Sequence, residues 1–306
     1  MKAENVSRRS KGWILSIVAQ ALWGSSSVVI SLISKSLPDT LLVGVRHTIG
    51  SVFLYINLRG HLRSTFKNLP WRHLIILGLL AGSLPDLLLV ESVRKSGPIV
   101  AVLLARLEMP LGVLFAHLFL KEKVNRTAYL ASLIGLVGAG FIAYQPGDAI
   151  NIHTSFYLGV LCGIAAGISW GLSAVYVKFI LSKGSDSTAT AFIRLALGAA
   201  TSLVLVLFFV HDPLSILKGL YWKDWLKILY LGVFASGAAY MLYNKSLKVI
   251  DAHVAQILVG VSMIVSVCLG LAIGVRVSML QWLGIATIVF SIYMIKARPS
   301  TEETLD

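Results

Sequence analysis

Five charged side chains stand inside long apolar runs of this chain: Arg46, Asp86, Arg106, Glu108 and Arg194, with Glu91 nearer the end of a run. A charge at the centre of a bilayer costs roughly 2.5–3.5 kcal/mol on insertion scales, so it must face water or a partner. Three cations and two or three anions can nearly neutralise one another around a wet cavity. Their chemistry is then ion pairing, proton binding or recognition of a charged solute. Arg46 and Arg194 can also snorkel or bond backbone carbonyls. Arg106 and Glu108 are two residues apart, about 200° around a regular helix, so they are expected to find separate partners. Glu108 lies two residues before Pro110. A proline favours a kink one turn earlier, which makes Glu108 the first candidate for a coupling proton and Asp86 the second.

Neutral residues extend the candidate set. Asp86 shares a face with Gly78 and Gly82, and a related face carries Gly232, Ser236, Tyr240 and Asn244. Small residues admit a neighbouring backbone, and the larger polar groups at the end of the seam are expected to line a cavity. Trp23 and Trp170 each stand beside a glycine, away from the run ends, where an indole offers stacking or cation–π contact. His253 and Gln256 open one run a turn apart and are candidates to meet substrate, though an interfacial histidine is more often just solvated; His47 and His117 read in the same way. Gly159, Gly163, Gly167 and Gly171 recur every fourth residue, as do Ser262, Ser266, Gly270 and Gly274. These are packing stripes first and sliding surfaces second. Cys162 and Cys268 imply no disulfide framework, and no histidine pair has metal-ligand spacing, so neither metal nor cofactor is expected.

The elements that position these residues follow from composition. Of 306 residues 57% are hydrophobic and 13% charged, with a mean hydropathy of +0.81. A soluble domain carries about 25% charged residues to cover its surface, so the solvent of this chain is lipid. The formal charge of +13 does not mark a nucleic-acid protein, because Lys and Arg cluster between apolar runs. A bilayer needs about 20 apolar residues per helix. That window predicts an all-α integral membrane protein with ten spans at 13–34, 40–58, 72–92, 97–117, 127–145, 155–181, 187–210, 224–246, 251–274 and 279–296. The runs are continuously apolar, which excludes a β-barrel. The first is too long for a signal peptide and is retained. Between spans, 17 basic residues fall on the side of the N-terminus and 7 opposite, which predicts both termini in the cytoplasm of a cell membrane. Trp13, Trp71, Trp222, Trp225 and Trp282 lie at span ends as interfacial anchors.

The chain repeats itself. Trp23-Gly24-Ser25-Ser26 in the first span answers Trp170-Gly171-Leu172-Ser173 in the sixth, and a lone arginine follows each 23 or 24 residues on, at Arg46 and Arg194. Residues 77–113 align without a gap on 231–267, with ten identities. Two five-span repeats, 13–145 and 155–297, are joined by Gln145-Pro146-Gly147-Asp148. Five is odd, so the second repeat enters from the opposite side. Inverted repeats are the architecture of alternating-access transporters, with substrate near the midplane.

These landmarks resemble the drug/metabolite transporter superfamily and, within it, the ten-span EamA family. The resemblance spans about 13 to 297. It rests on the Trp-Gly motifs, the lone arginines, the proline of Leu107-Glu108-Met109-Pro110 and the ending Leu120-Lys121-Glu122 of the fourth span. The second repeat departs from it, with Gly274-Val275-Arg276 at the acidic ending and Ile264 in place of the proline. The resemblance implies a secondary transporter, most often an exporter, of small metabolites or drugs.

The expected cargo is amino-acid-like or amphipathic, with protons as the candidate coupling ion. The alternative is an exchanger of anionic metabolites such as sugar phosphates or nucleotide sugars, which the three arginines suit. An intramembrane enzyme is the distant alternative, since the chain has no Asp-rich diphosphate motif, Gly-x-Ser-x-Gly elbow or HExxH. The basic-residue count yields a direct test of topology. A cysteine placed at position 148 is expected to react with an impermeant maleimide in intact cells, and labelling only after lysis would reverse the orientation.

Overall fold

In lipid each backbone amide must be satisfied within its own segment, so apolar runs of this length become helices. A computed structural model of the chain describes residues 2–33, 37–59, 69–144 and 155–297. The described residues form helices and short connections, with no strand among them. Ten stretches are long and apolar enough to cross a bilayer. They are Ser7–Ser31, Asp39–Leu58, Trp71–Ser96, Ile99–Leu120, Arg126–Ala143, Phe156–Ser182, Ser187–Phe209, Trp222–Leu247, Ala252–Ala272 and Met279–Lys296. Each falls on one of the ten expected runs. Lys35, Arg63, Lys67, Arg298 and the junction Gln145-Pro146-Gly147-Asp148 lie outside the described residues. Local capping fixes several starts: Asn125 accepts from Ala128 N–H at 2.8 Å, and Asp186 accepts from Thr188 and Ala189 N–H at 2.8 and 2.9 Å.

Four spans are irregular, where the hydropathy pattern predicts continuous helices. The third divides into Trp71–Ala81 and Leu84–Ser96, and the fourth into Pro98–Ala105 and Glu108–Leu120. Each of these breaks stands one turn before a proline, Pro85 or Pro110, whose ring nitrogen cannot bond the carbonyl four residues back. The ninth divides into Ala252–Ile257 and Gly260–Ala272 without a proline. There the amides of Val259, Val261 and Ser262 bond three residues back, and Ser262 Oγ donates to the Val259 carbonyl at 2.7 Å. The eighth stays continuous through a π-helical stretch, Leu231–Ala238, between Trp222–Tyr230 and Ala239–Leu247.

The spans pack into two compact units, and each unit draws on both halves of the sequence: Met1–Leu87 with Val177–Val249, and Leu88–Tyr176 with Ile250–Asp306. This partition by packing differs from the division into sequence repeats. In the first unit glycines let backbones touch. A methyl group on Gly82 would lie 2.7 Å from Gly198 Cα, and one on Gly50 would lie 2.9 Å from the Gly232 carbonyl. The apolar core beside these seams includes Leu41, Leu42, Ile228 and Leu231, with Leu54 and Leu195 in a second cluster.

In the second unit the sixth-span stripe is a packing face. Gly159 meets Ser96, Gly163 meets Ser92 and Leu104, Gly167 meets the Leu104 and Ala105 carbonyls, and Gly171 meets Gly112. Ala139, Ile142, Met263 and Ile288 form the core of this unit. Elsewhere large apolar side chains face outward, such as Leu207 at 77% exposure, as lipid solvation allows.

The Gly82–Gly198 approach gives a stability prediction. Gly198→Val must push against the Gly82 backbone and is expected to cost about 1–3 kcal/mol, read as a lowered Tm of the purified protein. Gly140→Ala meets only Leu103 Cδ1 at 3.4 Å and is expected to leave Tm unchanged.

Candidate functional site

In the first unit, polar side chains converge on the break of the third span. Pro85 cannot donate to the Ala81 carbonyl, and Arg194 of the seventh span supplies the missing donor, Nε to oxygen, at 2.9 Å. The Arg194 guanidinium lies 4.3 Å from the centre of the Tyr240 ring, and its Nη2 is 3.5 Å from the Tyr240 hydroxyl, the outer limit of a hydrogen bond. Trp23 packs on Tyr240 and Tyr243, both at 5.1 Å between ring centres. Just past the break, Asp86 Oδ2 is 3.2 Å from Arg46 Nη2 and 3.8 Å from His47 Nε2. The Arg46 and Asp86 side chains keep 14% and 19% exposure, whereas Arg194 is buried. Asn244, fully buried, donates to the Ser187 carbonyl at 3.1 Å and so ties the eighth span to the seventh.

In the second unit Arg106 and Glu108 meet, contrary to the expectation from a regular helix. Arg106 Nη1 donates to Glu108 Oε1 at 2.6 Å. The angular argument fails because residues 106 and 107 form the break itself, so the two side chains are no longer on one helix. The Arg106 carbonyl, which Pro110 cannot bond, accepts from Met109 N–H at 3.0 Å instead. Gln256 lies against Gly112, where any side chain on the glycine would overlap it, and its Oε1 is buried without a partner. Trp170 is half-buried in this unit, beside the Gly171 contact with Gly112. Trp23 and Trp170 thus belong to different units, as do the two ion pairs.

Two histidines are not the solvated groups their positions suggest. His47 is fully buried, and His253 is buried against Glu122. Glu122 was legible only as part of a motif, yet it holds the start of the ninth span. Its carboxylate accepts from Ala252 N–H at 2.8 Å, His253 N–H at 3.1 Å and His253 Nδ1–H at 2.7 Å. Lys121 turns the chain into this position with a φ of 56°, and exposed His117 donates to the Glu122 carbonyl at 3.1 Å. No cluster of three metal-ligating side chains occurs among the described residues.

The sequence profile of the EamA-like transporter family matches residues 10–144 and 157–297. The chain belongs to the EamA-like transporter family. Its two matched segments are the two repeats of that family's fold. The chain is similar to the uncharacterized inner membrane transporter YedA of Escherichia coli strain K12, 28% identical over 279 residues, covering 90% of this chain and 87% of that one. It is similar to the uncharacterized transporter YoaV of Bacillus subtilis strain 168, 27% identical over 250 residues, covering 79% and 82% of the two chains. It is also similar to the riboflavin transporter ImpX of Fusobacterium nucleatum, 24% identical over 254 residues, covering 80% and 83%. A solved crystal structure shares the fold at a TM-score of 0.80 and 20% identity, over 93% of this chain and 96% of that one. The protein is a multi-pass membrane transporter rather than an enzyme, with a small molecule as its cargo and a lipid bilayer as its solvent.

In this transporter the Glu122 cap carries a pH signature. Burial alone would push its carboxyl up. The His253 ring hydrogen bond, the Ala252 N–H, the electrostatic pull of the His253 ring and the His253 N–H outweigh it and hold Glu122 below the ordinary carboxylate range. A carboxylate held low stabilises the fold above its unfolded pKa, and that stability is lost as pH falls through the folded value. Glu122→Ala is expected to cost about 1 kcal/mol at neutral pH, as for other lost caps. The Tm difference between parent and variant should shrink steadily on acidification below the ordinary carboxylate range. A difference independent of pH would remove the charged cap.

Proposed function

We propose that the protein is a secondary active exporter of small organic metabolites, amino-acid-like or amphipathic, working by alternating access. The observation that carries this reading is the Arg46–Asp86 pair, which stays partly exposed in the interior of two apolar spans. A charged pair open to lipid is too costly to keep, so its exposed side borders water. The broken helices of each unit support the reading, because unwound backbone in a membrane persists where it lines a wet cavity. In the first unit the polar lining is Arg46 and Asp86 and the aromatic lining Trp23 and Tyr240; in the second, Arg106, Glu108 and Gln256 are the polar groups and Trp170 the aromatic one. Arg194, Asn244 and His253 act one layer behind, holding the walls. Riboflavin, the cargo in the name of one relative, is an amphipathic aromatic compound of the kind such a lining suits. Both termini lie in the cytoplasm, in keeping with the basic-residue count.

Protons are the coupling ion of this proposal, and Glu108 is their site. Its carboxylate sits at a helix break against the Arg106 guanidinium, beside a two-residue turn. A change in that pairing between inward- and outward-open states alters proton affinity, which is the requirement for coupling. Counterflow of radiolabelled metabolites in proteoliposomes tests the reading. Glu108→Gln is expected to retain counterflow and lose acceleration by an imposed pH gradient. Acceleration at the parental rate in Glu108→Gln would exclude Glu108, and an absence of counterflow by the parent across a broad metabolite panel would overturn the transport mechanism proposed.

A further inference from the structure

The break of the third span gathers more unsatisfied polarity than its own ion pair explains. His47 is fully buried and neither ring nitrogen has a hydrogen-bond partner. Ser83 and Ser202 are fully buried with unpartnered hydroxyls, and Arg46 Nε is buried and unpartnered. The groups lie together. A methyl group on Gly198 would lie 3.2 Å from His47 Nδ1 and 2.9 Å from the Gly82 carbonyl carbon. Ser83 follows Gly82, and Ser202 stands one turn along the seventh span from Gly198. Asp86 does not satisfy His47, because 3.8 Å is beyond hydrogen-bond length. A buried polar group left without a hydrogen bond destabilises the fold, so four at one break are retained for something other than stability.

The charge count at this break says what they are retained for. Two cations, Arg46 and Arg194, and one carboxylate, Asp86, stand in the span interiors around this break, and Asp86 pairs with Arg46. Arg194 spends its Nε on a neutral carbonyl, which satisfies a hydrogen bond and cancels no charge. One positive charge is left over at a depth where uncompensated charge is expensive. The unpartnered groups are donors or can act as donors: a guanidinium N–H, two hydroxyls and an imidazole N–H. Donors around one net positive charge fit a singly charged oxyanion. Next to them the aromatic group of Trp23, Tyr240 and Tyr243 offers an apolar bed.

We propose that the break of the third span binds the carboxylate, or an equivalent single negative charge, of an organic monoanion whose apolar body rests on Trp23 and Tyr240. This rests on the transport reading and narrows its cargo. A phosphate monoester brings one charge too many, and an amine has the wrong sign.

The test is thermal stabilisation of the protein in phosphatidylcholine nanodiscs by matched probes: phenylacetate, phenylacetamide, phenethylamine and phenyl phosphate. Phenylacetate alone is expected to raise Tm in a saturable way. Arg46→Gln brings the count to zero and is expected to weaken phenylacetate at least about tenfold, the loss of one hydrogen bond to a charged group. Arg46→Gln with Asp86→Asn restores one positive charge and is expected to recover part of the affinity; it carries the test if the single variant does not fold. Equal stabilisation by phenylacetamide would overturn the proposal, and so would no loss in Arg46→Gln. Stabilisation by added phosphatidylglycerol without any by phenylacetate would make the break a lipid site and overturn it as well. Arg46-dependent binding of phenylacetate without its flux in sealed vesicles would count against the transport reading and leave the anion site standing. Flux of neutral or zwitterionic compounds without anion binding would do the reverse.

Discussion

A proline inside a membrane helix leaves one carbonyl without its amide, and in lipid no water is at hand to replace it. The first unit is organised around such a carbonyl. Pro85 orphans Ala81, and the donor that reaches it is a guanidinium from another span, Arg194. That single bond makes a mid-membrane cation a structural necessity. The cation then requires the Tyr240 ring beneath it, and Tyr240 in turn seats Trp23. It also requires the seventh span close by, which is why the backbones touch at Gly82 and Gly198. The residues that look like substrate ligands thus divide by role. Arg194 is buried and committed, whereas Arg46 and Asp86, on the far side of the break, keep a share of exposure.

The fourth span meets the same constraint locally. Pro110 orphans the Arg106 carbonyl, and Met109 N–H bonds it through a tighter turn. No distant side chain is needed, so Arg106 is released to pair with Glu108 next door. The second repeat has no proline at either related position, and its eighth and ninth spans reach irregular backbone by other means. A π-helical stretch that contains Gly232 and Gly237 widens the eighth span where the second approaches it, and a serine back-bond accompanies the break in the ninth. The repeats keep the positions of their irregularities while differing in what enforces them. Charge is concentrated at the two proline breaks, both in the first repeat.

The spans were legible in the sequence because hydropathy and length are local properties that lipid enforces directly. Arg194 was legible in kind, as an arginine that could bond backbone carbonyls, and its partner became identifiable only once Pro85 was recognised as the origin of a free carbonyl. The Leu84-Pro85-Asp86 triplet carries that signal: a proline within an apolar run, followed at once by an acid. The Arg106–Glu108 contact was not legible, since the angular rule that separates i and i+2 presumes the very helix that Pro110 interrupts. His47 was misread because distance from a run end says nothing about packing, and it packs against Gly198, 151 residues further along the chain. Two residues at the same depth in lipid can thus be solvated or sealed, depending on whether a glycine opposes them.

Glu122 shows how long-range partners replace local ones. The first half of the ninth span, Ala252–Ile257, is six residues long, too short to persist by its own hydrogen bonds. Asp251 occupies its N-cap position and its side chain bonds no amide of that helix. The capping oxygens arrive instead from the connection between the fourth and fifth spans, and they bond two backbone amides and a ring at once. On the same short helix, one turn on, Gln256 leans on Gly112 of the fourth span. The fourth span and the connection that follows it therefore hold this half-helix at both ends, through a charge at one and a glycine-lined contact at the other. Those contacts join the end of the fourth span to the half-helix, and the backbone is irregular on either side of them, at 106–107 and 258–259. The first of these irregular points stands next to the acid that the proposed mechanism uses.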